Sequence, residues 1–220
     1  MSAWAVERVV GPAATLHARD GWESAVPLVR LLEVAAPALV LGSTQPLGDV
    51  DEAAAAEAGI DVVRRSSGGG AVLLIPGEHV WLDVVVPRSD AAWTDDISRA
   101  AWWLGERWAE VLAPRSLEVH RGRLGGGEFG RVVCFAGRGP GEVVADGAKL
   151  VGVAQVRRRA GARFQSMVHH VVRPEVYRSL LAPGLARIGA TDAGVADVAT
   201  VTSELAGPEL VTRLAARLGS

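Results

Sequence analysis

The sequence has a single cysteine, Cys134, among 220 residues. One cysteine excludes an internal disulfide framework and any metal site built from several cysteines. No apolar run reaches the roughly 18–20 residues that a membrane span requires. The N-terminal MSAWAVERVV lacks the basic segment and the following apolar segment of a secretory signal. These absences predict a soluble cytoplasmic protein with no membrane partner.

The sequence also lacks an excess of either charge, because 23 basic and 25 acidic residues give a formal net charge of −2. This balance argues against general nucleic-acid binding. Only one of the 23 cationic side chains, Lys149, is a lysine. Lysine offers a compact point charge and arginine a planar fork. A site that needs a point charge would explain the exception, and chance would explain it too.

Short apolar segments separated by turn residues predict an α+β fold. Antiparallel strands interleaved with helices, without a repeating strand–helix alternation, favour α+β over a doubly wound sheet. We expect one domain over residues 1–220. Strands are predicted at Leu28–Val34, Ala38–Gly42, Ile60–Arg65, 71–75, 80–86, 142–145 and 148–157, and helices at 49–59, 94–114, 174–181 and 208–218.

The segment RRSSGGGAV, residues 64–72, runs from two arginines through three glycines into an apolar stretch. Consecutive glycines allow a backbone loop whose N–H groups bind an anion, and Arg64 and Arg65 suit a phosphate or a carboxylate. The segment is not a Walker P-loop, because no Gly-Lys-Ser/Thr follows it. A plain turn is the alternative interpretation.

A hairpin is predicted around Asp146-Gly147, a dipeptide typical of a two-residue type I′ turn. Lys149 lies two residues past the turn, on the returning strand. Strict alternation would place Lys149, Val151, Val153 and Gln155 on one face of that strand. Gly152 would admit the close approach of a ligand or of another backbone.

Three further features have both a functional and an ordinary interpretation. Cys134 is either a small buried apolar residue or a nucleophile whose thiolate is stabilised by nearby cations. His169-His170 suggests a metal, but no further ligand stands at a suitable spacing, so no metal site is predicted. The basic residues Arg157–Arg159 and Arg163 form either a solvated strand end or a docking surface for an acidic partner.

RRSSGGGAV and the later block GEVVADGAKLVGVAQVRR, residues 141–158, resemble in order and spacing the signatures of lipoate–protein ligases. PALVLGSTQ, which contains Gln45, precedes the first block and fits the same pattern. The resemblance spans roughly residues 28–170 and points to the biotin/lipoate protein ligase superfamily. It implies a catalytic core with a mostly antiparallel mixed sheet flanked by helices.

The resemblance also implies a chemistry. Lipoate or octanoate would attack ATP, with Mg²⁺, to give acyl-AMP, and a lysine of a lipoyl carrier domain would then accept the acyl group. That domain would belong to a 2-oxoacid dehydrogenase or be the glycine-cleavage carrier protein. Lys149 would be catalytic. The residues implied to bind the adenylate and the acyl group are Gln45, Arg64, Arg65, Ser67, Gly68, Gly69, Gly70, Ala71, Val72, Gly152, Ala154 and Gln155.

The sequence departs from the family pattern in three respects. Leu73 and Leu74 stand where the family often has a histidine, and Gln165-Ser166-Met167 stands where His-Gly-Ser is frequent. Ligases with an accessory domain are much longer. We therefore expect this chain to act alone, to use a separate accessory chain, or not to use ATP.

Two alternatives to the ligase remain open. A cysteine-dependent branch of the superfamily transfers octanoyl groups from acyl-carrier protein to a lipoyl domain, and Cys134 stands where its nucleophile would. The altered motifs also fit a degenerate, non-catalytic acyl-binding module. We expect the ligase activity, because RRSSGGGAV matches the ATP-using branch more closely.

Overall fold

The computed structural model describes residues 4–19, 24–113, 116–125, 129–185, 199–201 and 207–219. The strands are β1 (Ala5–Gly11), β2 (Leu28–Val34), β3 (Ala38–Leu41), β4 (Asp61–Arg64), β5 (Val72–Leu74), β6 (His79–Pro87), β7 (Leu117–Val119), β8 (Val143–Ala145), β9 (Ala148–Arg157) and β10 (Gly161–His169). The helices are α1 (Ala13–Ala18), α2 (Glu52–Glu57), α3 (Ile97–Val111), α4 (Phe129–Val132), α5 (Pro174–Leu180) and α6 (Gly207–Leu218), with 3₁₀ turns at Leu47–Asp49 and Cys134–Ala136.

The strands form a large and a small sheet. The large sheet has the order β1-β2-β6-β10-β9-β8-β7, and the small sheet has the order β4-β3-β5. Within the described residues, the pairs β1–β2 and β3–β4 are parallel, and the other pairs are antiparallel. The predicted α+β architecture with a mostly antiparallel mixed sheet is confirmed.

The two faces of the large sheet have different roles, because successive side chains of a strand point to opposite faces. On one face, Leu82 and Phe164 pack in a core with Trp108 of α3 and Leu214 of α6. On the other face, neighbouring strands place polar and apolar side chains together, so that Asp83 lies opposite Gln165 and Trp81 lies opposite Met167. This second face is the one that carries the candidate site.

Helix α3 begins where the sequence predicts, because the Asp96 side chain accepts hydrogen bonds from the N–H groups of Ser98 and Arg99. Such an N-cap satisfies donors that have no partner inside the helix. Of the predicted apolar positions, Ile97 is an exception, since it is 62% exposed in the first turn. Pro114, the predicted stop, lies outside the described residues.

Strand β10 is not predicted from the sequence, because charged and polar residues such as Arg163 interrupt its apolar pattern. Arg163 is only 2% exposed and its Nε lies 2.7 Å from Asp83 Oδ2 on β6. The interpretation of Arg163 as part of a solvated strand end is therefore wrong. Arg158 and Arg159 are exposed, whereas Arg157 stacks on Trp93 with its guanidinium carbon 4.4 Å from the ring centre.

An extra residue in β9 changes the direction of Lys149. Val144 pairs with Lys149 but Val143 pairs with Val151, so Leu150 forms a bulge. A Cβ on Gly152 would lie 3.4 Å from Lys149 Cε, which places both residues on the same face, while Val151 packs in the core under α3. The predicted common face of Lys149 with Val151 is therefore wrong.

A membrane span is not found among the described helices, since none is long and apolar enough to cross a bilayer.

Candidate active site

A mostly apolar cavity lies between the second face of the large sheet, the small sheet and α1. It is lined by His17, Val40, Arg65, Val72, Leu74, Trp81, Cys134, Phe135, Gly152, Val153, Ala154, Gln165, Ser166 and Met167. A cavity with apolar walls and a few polar groups is typical of a small-ligand site.

Arg65 organises the glycine segment next to this cavity. It is buried, and its guanidinium donates to the Val40 carbonyl, to Ser67 Oγ, and to the carbonyls of Gly68 and Gly70. Because the guanidinium binds the carbonyls, the loop is held with its carbonyl oxygens turned toward Arg65. Arg65 therefore shapes the loop from within, and all three of its nitrogens are engaged.

Two of the three glycines of this loop, Gly69 and Gly70, are required by the backbone geometry. Gly69 has φ +97, a conformation that L side chains rarely adopt, and a Cβ on Gly70 would lie 2.7 Å from the Val132 backbone. Within the described residues, no hydrogen bond is donated by the backbone N–H groups of Gly68, Gly69 or Gly70. These three N–H groups have the chemistry of an anion cradle.

The segment after the glycines fixes the position of Cys134. The Ala71 N–H donates to the Val132 carbonyl at 2.7 Å, and the Cys134 N–H donates to the Ala71 carbonyl at 2.9 Å. Gln45, also buried, donates its Nε2 to the same Val132 carbonyl at 3.0 Å. Two motifs that are distant in the sequence thus hold Cys134 at the cavity wall, where it is partly exposed.

Lys149 lies beside Cys134 and is 3% exposed. Its Nζ lies 4.0 Å from Cys134 Sγ, donates to the carbonyls of Cys134 (2.9 Å) and Gly137 (3.2 Å), and sits 4.8 Å from the centre of the Phe135 ring. Phe135 in turn lies edge-on against His169, with ring centres 4.5 Å apart. The ammonium is thus buried, with backbone carbonyls and an aromatic ring as its neighbours.

Glu142 is a buried residue of this site that the sequence reasoning missed. Its Oε1 lies 2.6 Å from Lys149 Nζ, and its Oε2 accepts a hydrogen bond from the Gly139 N–H at 2.7 Å. The only signal in the sequence was an acidic residue in GEVV, between the cysteine and the lysine. The function of that residue depends on a contact that the sequence does not reveal.

A polar network forms another wall of the cavity. Ser67 Oγ donates to Gln165 Oε1 at 3.2 Å, and Gln165 Nε2 lies 3.2 Å from His17 Nδ1. His17 stacks on Trp81 with ring centres 4.3 Å apart. Burial, followed by the charges of Arg65 and Arg163, lowers the pKa of His17 to about 3, so this imidazole is neutral near pH 7.

The residues implied by the resemblance fall into three groups. Arg65, Val72, Gly152, Ala154 and Cys134 line the cavity. Ser67, the three glycines, Ala71, Gln45 and Lys149 surround it and hold its walls. Arg64 and Gln155 point elsewhere: Arg64 donates to the carbonyls of Gly42 and Gln45, and the Gln155 amide lies 3.2 Å from the Ile97 carbonyl of α3.

The two leucines that replace the family's histidine lie on opposite sides of β5. Leu74 lines the cavity, whereas Leu73 packs in a separate apolar cluster with Tyr177, whose hydroxyl accepts a hydrogen bond from the Leu73 N–H. Among the described residues, no group of three His, Cys, Asp or Glu side chains could hold a metal ion.

The family model and the related sequence found by comparison with known proteins point to the same family. The model of the lipoyl protein ligase A/B catalytic domain matches residues 4–209. The octanoyltransferase LipM of Moorella thermoacetica is 32% identical over 155 residues, which cover 68% of this chain and 55% of that protein. The chain therefore spans about half the length of this curated relative.

Solved structures with the same fold have lower identity. A putative lipoate protein ligase of Thermoplasma acidophilum with bound lipoic acid has a TM-score of 0.70 at 18% identity, covering 99% of this chain and 86% of that one. Lipoate-protein ligase A bound with ATP has a TM-score of 0.70 at 17% identity, covering 100% and 86%. These similarities confirm the predicted fold of a lipoate ligase catalytic core.

Proposed function

The chain belongs to the lipoyl protein ligase A/B catalytic-domain family, and from this premise we propose that it transfers an octanoyl or lipoyl group to a lysine amine of a lipoyl carrier domain. The observation that carries the proposal is the position of Cys134 Sγ at the wall of an apolar cavity, 4.0 Å from Lys149 Nζ. This arrangement favours the cysteine-dependent route over the ATP-dependent ligase that the motifs alone suggested.

The proposed reaction has two steps. The Cys134 thiol gives up its proton, and the thiolate attacks the carbonyl carbon of an acyl thioester on acyl-carrier protein; the bond from that carbon to the carrier sulfur breaks, a new thioester forms at Cys134, and the carrier thiolate leaves and takes up the proton. The lysine amine of the lipoyl domain then attacks the Cys134 thioester, which forms an amide and releases the Cys134 thiol. The Lys149 ammonium stabilises negative charge on sulfur in the first step.

The charges around the cavity support a neutral acyl donor. Arg65 is engaged with Ser67 and with backbone carbonyls, and Lys149 is paired with Glu142. A free carboxylate that entered would have to compete with these partners for the donors of both cations. A thioester brings no charge and needs only an apolar wall for its alkyl chain.

The test is acylation of the purified protein by octanoyl-carrier protein, read by intact mass. We expect an octanoyl adduct that hydroxylamine removes and that a lipoyl domain accepts, and no adduct with Cys134→Ala. Because the chain has one cysteine, the adduct can be assigned without mapping. Transfer by Cys134→Ala at the wild-type rate would exclude the thioester route.

The ATP-dependent ligase is the second candidate, and the unengaged N–H groups of Gly68–Gly70 favour it. They would bind phosphate oxygens of an acyl-AMP, while Mg²⁺ would be held mainly through the phosphates. Lipoate- or octanoate-dependent ATP–pyrophosphate exchange tests this candidate. Exchange that persists in Cys134→Ala would establish the ligase.

We further propose that the acceptor is the lipoyl domain of a 2-oxoacid dehydrogenase or the glycine-cleavage carrier protein. A solved relative in Thermoplasma acidophilum is a bipartite lipoate protein ligase described with its E2 lipoyl domain, at a TM-score of 0.72, 18% identity and coverage of 100% of this chain and 85% of that one. A single domain over residues 1–220 and a cytoplasmic location stay predictions, and so does the choice between a chain that acts alone and one that uses a separate accessory chain. If the protein acylates neither carrier from any donor, that result would favour the non-catalytic acyl-binding module.

A further inference from the structure

We propose that Glu142 is a positioning residue, which holds the Lys149 ammonium beside the thiol of Cys134. The proposal rests on the proposed function only in that it takes Cys134 as the nucleophile. The arrangement of the three side chains is independent of it.

Glu142 is fixed on three sides. One oxygen, Oε1, lies 2.6 Å from Lys149 Nζ and 3.3 Å from the Val153 N–H of β9. The other, Oε2, accepts the Gly139 N–H at 2.7 Å. The Glu142 side chain is 6% exposed and that of Lys149 is 2% exposed, so the pair is shielded from water and from salt. A carboxylate held in this way can fix the position of its partner.

Lys149 transmits this position to the nucleophile. An ammonium has three N–H donors, and here its partners are Glu142 Oε1 and the carbonyls of Cys134 and Gly137. The last two carbonyls belong to the 3₁₀ turn that begins at Cys134 and to the residue after it. The ammonium therefore bridges the carboxylate of Glu142 and both ends of the nucleophile's turn.

Removal of the Glu142 charge would leave a buried, unpaired ammonium, which is strongly unfavourable. Without its carboxylate partner the ammonium would not stay in this position, so the positive charge beside Cys134 Sγ would be lost. We therefore expect loss of Glu142 to act on Cys134 in the same direction as loss of Lys149 itself.

The other titratable groups near Cys134 and Lys149 keep a constant charge in the relevant pH range. Burial, followed by the charge of His79, lowers the pKa of His169 to about 3, and burial chiefly lowers that of His17 to about 3. Burial raises the pKa of Tyr177. Changes in the pH profile of Cys134 therefore report on Glu142 and Lys149.

The experiment measures the rate of iodoacetamide alkylation against pH, which reports on Cys134 alone because the chain has one cysteine. We expect Glu142→Gln and Lys149→Met each to raise the pH of half-maximal rate by about one unit or more. Glu142→Asp should restore most of the shift, because it keeps the charge. Asp146→Asn, an exposed acid in the same hairpin, is the matched control and should match the wild type.

A double variant separates positioning from a general structural effect. Glu142→Gln combined with Lys149→Met should shift the profile no further than Lys149→Met alone, because both act through one ammonium. A wild-type profile for Glu142→Gln, or shifts that add in the double variant, would overturn the proposal. A thermal melt checks that each variant is folded, and Glu142→Asp provides a second test if Glu142→Gln is not.

The acylation assay separates this proposal from the proposed function. If the alkylation profiles shift as expected and the wild type also forms an octanoyl thioester, both stand, and Glu142→Gln should form the thioester at least tenfold more slowly. If the profiles shift but no donor acylates Cys134, the proposed function fails and the positioning role of Glu142 stands.

Discussion

Buried charges on the site face of the large sheet are each matched by a partner. Arg163 pairs with Asp83 at 2.7 Å, and it also donates to the carbonyls of Leu16 and His17 at the end of α1. Because His17 lines the cavity, this arginine fixes a wall of the candidate site although it does not line the cavity itself. A long cationic side chain can do this because its donors reach both a carboxylate and a helix end.

Replacement of Arg163 tests how much this buried pair contributes. Arg163→Met should lower the free energy of unfolding by about 3–5 kcal/mol, since it removes the ion-pair partner of the buried Asp83 and leaves only the Trp81 side chain and the charge of Arg30 to stabilise that carboxylate. Arg213→Met breaks an exposed pair with Glu209 on α6 and should cost less than about 1 kcal/mol. Urea unfolding of both variants measures the difference. Equal costs would show that Asp83 finds another partner.

At the scale of elements, the candidate site depends on the contact between the start of β5 and the end of α4. The Gly70 backbone packs directly on Val132 and Val133, and the Ala71 hydrogen bonds continue this contact to Cys134. The glycine segment thus combines two features that its sequence does not separate. Gly70 allows two backbones to touch, and the N–H groups of Gly68–Gly70 have no hydrogen-bond acceptor within the described part of the chain.

Alanine substitutions at two of these glycines separate the packing requirement from the motif as a whole. Gly70→Ala would place a Cβ 2.7 Å from backbone atoms that cannot move away, whereas a Cβ on Gly68 would meet nothing within 4 Å. Gly70→Ala should cost about 1–3 kcal/mol of stability, and Gly68→Ala should stay within about 1 kcal/mol of the wild type. Thermal unfolding compares them. A larger loss for Gly68→Ala would contradict the packing argument.

At the scale of the whole molecule, three imidazoles are kept neutral by burial. Burial is the main cause that lowers the pKa of His17 and His169 to about 3 and that of His79 to about 4. In the unfolded chain each titrates near 6.5, so below that pH the unfolded state binds protons that the folded state does not. Stability is therefore fully present above pH 6.5 and falls as the pH decreases toward 3–4.

Acidification should accordingly destabilise the protein. Between pH 7 and pH 5 each histidine lowers the free energy of unfolding by about 2 kcal/mol. Asp83 partly opposes this, because burial raises its pKa to about 6 although Arg163 acts against the rise. Urea unfolding at the two pH values measures the loss, and His169→Gln should reduce it by about 2 kcal/mol. An unchanged pH dependence in that variant would show that the pKa of His169 is the same in the folded and unfolded states.

Much of the fold and part of the site could be predicted from the sequence. Strands β2 and β3, helix α3 and the Asp146-Gly147 hairpin follow from local apolar patterns, an N-cap and turn chemistry, all of which act over a few residues. Strand β10 could not be predicted in this way, because Arg163 breaks its apolar alternation. Its burial depends on Asp83, which is 80 residues away.

The sequence by itself determined which chemical groups are available: one cysteine, one lysine and a glycine segment in a fixed order. Only the tertiary structure decided how they meet. The bulge at Leu150 turns Lys149 to the cavity face, and the bridge from Ala71 brings Cys134 there. Glu142 completes the group through a contact with Lys149 across the β8–β9 hairpin. The reason is physical, since strand register and burial are set by pairing between distant segments, which no local pattern encodes.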